Sequence, residues 1–198
     1  SDGSDSNYTV STALGSAGSM NGTDLQGMAG NLGANYALGA NIDASDTSSW
    51  NVGAGFAPIG NLLNPFTGRF DGLGHQITAL TINRPDEDSV GLFGLVRVAE
   101  ISNIGLSGGS VTGESSIGGL VGLMEDSSIS TAYATGAVTG GGSVGGLVGY
   151  MSDSSISTAY ATGAITGTDT ASVGGLVGTQ FNISSITDSY ATGKVTGG

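Results

Sequence analysis

Apolar positions in this chain come in short runs cut by glycine, and from residue 117 onward one pattern of them is written three times. IGGLVGLMEDSSISTAYATGAVTG at 117–140 returns as VGGLVGYMSDSSISTAYATGAITG at 144–167 and as VGGLVGTQFNISSITDSYATGKVTG at 173–197. Gly118 to Gly145 is 27 positions and Gly145 to Gly174 is 29, the slack falling in the linkers GGS and TDTAS. Ile117, Leu120, Val121, Ile129, Tyr133 and Val138 recur as Val144, Leu147, Val148, Ile156, Tyr160 and Ile165, then as Val173, Leu176, Val177, Ile186, Tyr190 and Val195. The spacing is not helical, so each unit reads as three short strands joined by turns.

A fixed period of this size signals a solenoid, a propeller or an array. A four-stranded propeller blade usually takes about 40 residues, and the Leu/Asn consensus of leucine-rich repeats is missing. The expectation is an all-β parallel β-helix with about 27 residues per coil, like side chains stacking in ladders at the inter-strand spacing of ~4.8 Å. At that period the 198 residues hold about seven coils, a column of roughly 35 Å. Val121, Val148 and Val177 are expected inside, with Ile129, Ile156 and Ile186, and with Val138. Simple alternation puts Ile129, Thr131, Tyr133 and Thr135 on one strand face and Ser130, Ala132 and Ala134 on the other. Tyr133, Tyr160 and Tyr190 are then either a core ladder or an exposed one.

Before the repeats the pattern is looser. YTVST near residue 8 reads as a first or edge strand, and 20–31 (MNGTDLQGMAGN) as a short helix with Thr23 or Asp24 as cap and Leu25 and Met28 on one face. Such a helix would shield the first coil. The division is an N-terminal strand and capping segment at 1–35 and a β-helix at 36–198, regular from 117, as one domain of a longer chain. Residues 35–44 alternate as a strand, Trp50 falls in a polar loop, 56–70 reads as turns with short strands, RPDED at 84–88 as a charged loop, and SVGLFG at 89–94 as a degenerate start of the repeat. The last coil closes on KVTG with the ladder ends Val177, Ile186 and Val195 uncovered, so further repeats, or self-association through the C-terminal coil, are expected.

Composition narrows the classes. The chain has 38 glycines, 10% charged residues and a mean hydropathy of +0.16. Glycine at this level opposes a helix-rich enzyme, and the ordered apolar ladders oppose disorder. A net charge of −12 with four Lys plus Arg excludes nucleic acid and anionic membrane as partners, because phosphate affinity needs clustered cations. There is no cysteine, hence no disulfide or thiolate metal site. No apolar run is long enough for membrane insertion.

The order of YALGANIDA at 36–44, Trp50, FAPIG at 56–60, PFTGRFDGLGH at 65–75, INRP at 82–85 and VGLFG at 90–94 resembles the repeat regions of filamentous haemagglutinin-type, two-partner-secreted adhesins of Gram-negative bacteria. GGLVG followed by SSISTAYATGAVTG resembles the GLUG motif of those adhesins and of some surface-anchored proteases. The resemblance covers 20–198. It implies a right-handed β-helix on a secreted or cell-surface protein, and no receptor; the function expected beside it is a non-enzymatic adhesin segment, a stiff rod that presents a surface to a glycan or surface-protein receptor.

Candidate chemistry is sparse, and no cofactor is expected. Asp71 lies four residues before the only histidine, His75, and Ser107 sits in a GxSxG match, but no helix follows to form a nucleophile elbow, so DGLGH reads as a turn. Gly140–Gly145 matches GxGxxG in a linker and also reads as a turn. Asp86, Asp88 and Gly91 take calcium-loop positions, yet Arg97 stands where a bidentate Glu is needed, which leaves Asp86 and Asp88 as weak calcium candidates in a solvated acidic loop. Asp126 and Asp153 occupy corresponding turns, with Ile183 assigned to the same place one coil on. Asn7, Asn21 and Asn182 open NxS/T sequons. Thr135, Thr162 and Thr192, and Thr139, Thr166 and Thr196, form ladders that an ice lattice could match but that ordinary cross-strand pairing explains. A polysaccharide-active enzyme needs clustered carboxylates beside cations; Arg69, Arg84, Arg97 and Lys194 are too scattered. A filament or spacer module remains the alternative to an adhesin.

Overall fold

The computed structural model describes residues 7–168 and 171–197. Among these residues, three parallel sheets of ten, four and seven strands wind about one core. Within a coil the chain runs through sheet 2 (Val121–Glu125), turns into sheet 1 (Ser128–Ala134), then enters sheet 3 (Ala137–Gly140 and Ser143–Gly145). Sheet 1 stacks seven rungs, from Tyr8–Ser11 through Asn35–Leu38, Arg69–Asp71, Glu100–Ser107, Ser128–Ala134 and Ser155–Ala161 to Ser185–Thr187. Register pairs Ile101 with Ile129, Ile129 with Ile156 and Ile156 with Ile186, so the last coils take 28, 27 and 30 residues (129 − 101, 156 − 129, 186 − 156). The result is a parallel β-solenoid.

Glycines of the GGLVG run are fixed by how closely one rung sits on the next. A Cβ on Gly149 would overlap the Ile117 nitrogen and the Ser116 carbonyl carbon of the rung before, and one on Gly122 or Gly178 would meet the equivalent backbone. The apolar residues between them point inward: Leu120, Val121, Met124, Leu147, Val148 and Met151 are fully buried. The two coils from Tyr36 to Ile101, which are longer, fill the same core with rings, Tyr36, Phe66, Phe70 and Phe93 forming a chain of contacts at 5.0–6.4 Å. Regular coils fill it with aliphatic side chains, Ile, Val, Leu, Met and Ala.

Three early segments depart from the sequence reading. The helix expected at 20–31 is a 3-10 turn at Gln26–Gly30. Asn21 Oδ1 accepts the Thr23 and Asp24 amides and Asp24 Oδ1 accepts that of Gly27, which winds a tight turn instead of an α-helical one. Leu25 and Met28 do enter the core. Gln26 grips Ala57 by both its amide atoms, and Leu32 accepts the Thr67 amide, so this stretch stacks on 57–67 as part of its own coil. RPDED is not a loop but the irregular middle of the strand Thr81–Val90, paired with Ser110–Gly118 across a register shift between Arg84 and Asp88. The Trp50 loop forms short 3-10 turns within Ser45–Gly53, Trp50 stacking on Phe56.

Candidate ligand-binding face

Sheet 1 carries the chemistry on its outer surface, and one backbone feature decides which residues stand there. Thr131 and Thr158 have φ of +52°, in the left-handed region, so strict alternation stops in mid-strand. Ile129 faces the core, but the inward phase then shifts by one, burying Ala132 and Ala134 and turning Tyr133 outward. Val121, Val148 and Val177 lie in register in sheet 2, as Ile129, Ile156 and Ile186 do in sheet 1. All are buried except in the last coil, where Val177 is half-buried and Ile186 is 37% exposed.

Tyr133, Tyr160 and Tyr190 form a stacked outer ladder with ring centroids 5.0 and 5.2 Å apart and planes within 7° of parallel. Their faces are turned to one another, so the ladder offers its edges and hydroxyls. Tyr133 leans over Gly105, where a Cβ would overlap its ring, and donates its hydroxyl to Gln76 Oε1 at 3.2 Å. Desolvation, then the two flanking phenols, pushes the Tyr160 hydroxyl above the usual tyrosine range. Beside the ladder runs a ridge of residues at positive φ, Asn103, Thr131, Thr158 and Asp188, with Leu73 at its head. Between ridge and ladder lies a groove floored by Ala132 and Ala159. Its two sections, about 430 and 330 Å³, share Thr131 and Tyr133.

A second cleft of about 520 Å³ follows the corner between sheets 2 and 1. Its wall is a serine ladder: Ala99, Ser127 and Ser154 donate their amides to Ser127, Ser154 and Ser184 Oγ of the next rung, at 3.0–3.2 Å. Each hydroxyl donates in turn to a carbonyl of its own corner. This explains the repeated DSS. The residue before each serine is forced to positive φ at Asp126 and Asp153, and one coil on Asn182 takes that place, not Ile183, which is the inserted residue. Asn182 Nδ2 donates to Asp153 Oδ2 at 2.9 Å, and Ser152 Oγ adds 2.8 Å. These bonds, that of Asn182 first, hold the Asp153 carboxyl below the usual range.

Other candidates are dispersed. Asp71 Oδ1 accepts the Leu73 amide and the Asn103 side chain, His75 Nδ1 lies 3.1 Å from Asn41 Oδ1, and Ser107 is paired with Thr78 in a strand, so no triad assembles. Asp86 and Asp88 stand exposed on the Thr81–Val90 strand, and among the described residues no group of three His, Cys, Asp or Glu is placed to hold a metal. Thr139, Thr166 and Thr196 are in register on sheet 3, below Thr112. Arg69, Arg84 and Arg97 each pair with a glutamate, Glu100, Glu87 and Glu125.

The repeated corner, ladder and glycine turns coincide with known units: residues 113–139, 140–166 and 169–196 match the GLUG motif. These are GLUG repeats. Across 93 residues the chain is 47% identical to halomucin of Haloquadratum walsbyi, covering 44% of this chain and 1% of that protein. Across 74 residues it is 38% identical to a protein of Evansella cellulosilytica provisionally named a Gly-rich membrane protein, covering 35% and 9%. The chain thus spans a small fraction of the relatives it matches. In fold it is similar to a Bacteroides ovatus crystal structure provisionally named an immunoglobulin A1 protease, with a TM-score of 0.63 at 19% identity over 96% of this chain and 67% of the other. That likeness establishes the solenoid and nothing about activity.

Proposed function

We propose that this chain is a rigid, non-enzymatic segment of a secreted or cell-surface adhesin of the filamentous haemagglutinin kind, its GLUG coils presenting the outer face of sheet 1 to a surface receptor. The observation that carries this reading is the groove between the tyrosine ladder and the positive-φ ridge, which repeats its walls rung after rung. The names of the relatives, halomucin and a Gly-rich membrane protein, support an extracellular or surface location. A non-catalytic role fits what the candidate groups engage: each arginine pairs with a glutamate, Asp71 accepts the Leu73 amide and the Asn103 side chain, and His75 lies against Asn41. Beads coated with the folded chain test it against immobilised glycans, glycoproteins and matrix proteins: an adhesin gives saturable retention on at least one. Uniform failure to be retained leaves a spacer.

A second reading, a spacer whose coils associate with those of another copy, would use the same rung-on-rung pairing that joins like coils here, Ser128–Ala134 with Ser155–Ala161 and Ser143–Gly145 with Ser172–Gly174. Light scattering over a concentration series, with Ile186→Lys as control, separates a self-associating spacer from a receptor-binding monomer.

A further inference from the structure

Resting on the adhesin reading, we infer that the groove on sheet 1 takes an uncharged, unbranched glycan chain lying parallel to the solenoid axis. Its direction is set by its walls. The ridge contributes Asn103, Thr131, Thr158 and Asp188 from four successive rungs, and the ladder contributes Tyr133, Tyr160 and Tyr190 at 5.0 and 5.2 Å. Each rung thus offers a new pair of walls at a step close to the length of one sugar ring in an extended chain. Because the two sections share Thr131 and Tyr133, the floor is continuous from Gly105 to Ala159.

The chemistry selects the class. Among the described residues the groove is lined by hydroxyls, one side-chain amide, phenol edges, the exposed aliphatic chain of Leu73 and the single carboxylate of Asp188, with no lysine or arginine. Sugar hydroxyls match such donors and acceptors, and sugar C–H surfaces pack on threonine methyls and ring edges. A net charge of −12 repels an acidic glycan or a phosphate-bearing ligand. An extended peptide gains little here, since strand addition needs a free sheet edge, and sheet 1 spends its backbone groups on rung-to-rung pairing across this face. The threonines supply a separate indication. Thr131 and Thr158 are β-branched and exposed at positive φ, whereas the flanking rungs use Asn103 and Asp188, types that tolerate that conformation. Strain held at an exposed position is expected where a side chain meets a ligand.

Titration calorimetry of the 198-residue chain tests this with neutral oligosaccharides of two to six residues from cellulose, mannan and chitin, and with oligogalacturonate as the acidic counterpart. At least one neutral series should bind, tightening with each added residue until about the four rungs of the ridge are filled and then levelling, while oligogalacturonate does not bind. Thr131→Glu with Thr158→Glu should weaken binding at least tenfold, and Thr166→Glu, on sheet 3, should leave it unchanged. In the unaltered chain the ring resonances of Tyr133, Tyr160 and Tyr190 should shift on titration, a readout that does not depend on the variants folding. Binding that ignores length, prefers oligogalacturonate or leaves those resonances still would overturn the groove. Retention on protein-coated surfaces with no oligosaccharide bound would overturn the glycan and keep the adhesin; no binding to anything would overturn both.

Discussion

At the scale of single residues, the left-handed threonines decide what the molecule shows to its surroundings. With regular alternation through 129–135 the tyrosines would be core; the turn at Thr131 puts alanine inside and tyrosine outside. A left-handed conformation costs an ordinary L-residue about 1–2 kcal/mol, and asparagine is among the least penalised. Thr158→Asn should therefore raise stability by about 1 kcal/mol in denaturant unfolding, while Thr139→Asn, in the ordinary strand of sheet 3, should give no gain. Asp153 provides a titratable counterpart. Its folded pKa is depressed by Asn182, so the stabilisation is present above the unfolded value of about 3.9 and is lost as pH falls through the lower folded value. The melting-temperature gap between the natural chain and Asn182→Ala should be open at pH 6 and close toward pH 2.5; a constant gap would mean that Asn182 acts without the carboxylate. Sequence pattern left the tyrosines undecided because hydrophobicity records only which residue types alternate. The phase slip is a backbone event, signalled only by a threonine between Ile129 and Ala132.

At the scale of the element, each letter of the repeat has a steric or hydrogen-bonding reason. The leucine and valine of GGLVG are core, its glycines let rung backbones meet, and the DSS corner closes with a serine that bridges two rungs. A methyl group on Gly149 would meet the fixed backbone at Ser116 and Ile117. Gly149→Ala should thus cost about 1–3 kcal/mol through overpacking, measured as a lowered denaturant midpoint. Gly105→Ala should cost less, since the tip of the Tyr133 ring can swing aside; equal losses would contradict this reading of the glycine contacts. Stacked strands and their period were legible because three near-copies expose which positions must stay constant. The 20–31 turn was not: its glycines and the Asn21–Asp24 network favour a tight turn that a capping pattern alone cannot distinguish from an α-helix. RPDED was misjudged for a related reason, since its charges suit a loop equally well as an outer strand edge.

For the whole molecule, what matters is that coils of 27–34 residues all add one rung, the surplus leaving the column as outer loops such as 60–65 (from Tyr36 paired with Phe70, 70 − 36 = 34). Register across seven rungs is what makes continuous outer columns out of single side chains, and so what makes a groove at all. The chain has no cysteine, so spin labels can be placed in pairs without background. Val10, Ser130, Ser157 and Thr187 belong to one outward column of sheet 1, at its first, fifth, sixth and seventh rungs. Double electron–electron resonance between a label at Val10→Cys and one at Ser130→Cys, Ser157→Cys or Thr187→Cys should give distances near ~19, ~24 and ~29 Å, apart from the reach of the labels, rising by one strand spacing per coil. Distances that fail to rise in equal steps, or that spread over tens of ångströms, would show that the coils do not stack in register and that the outer columns do not exist.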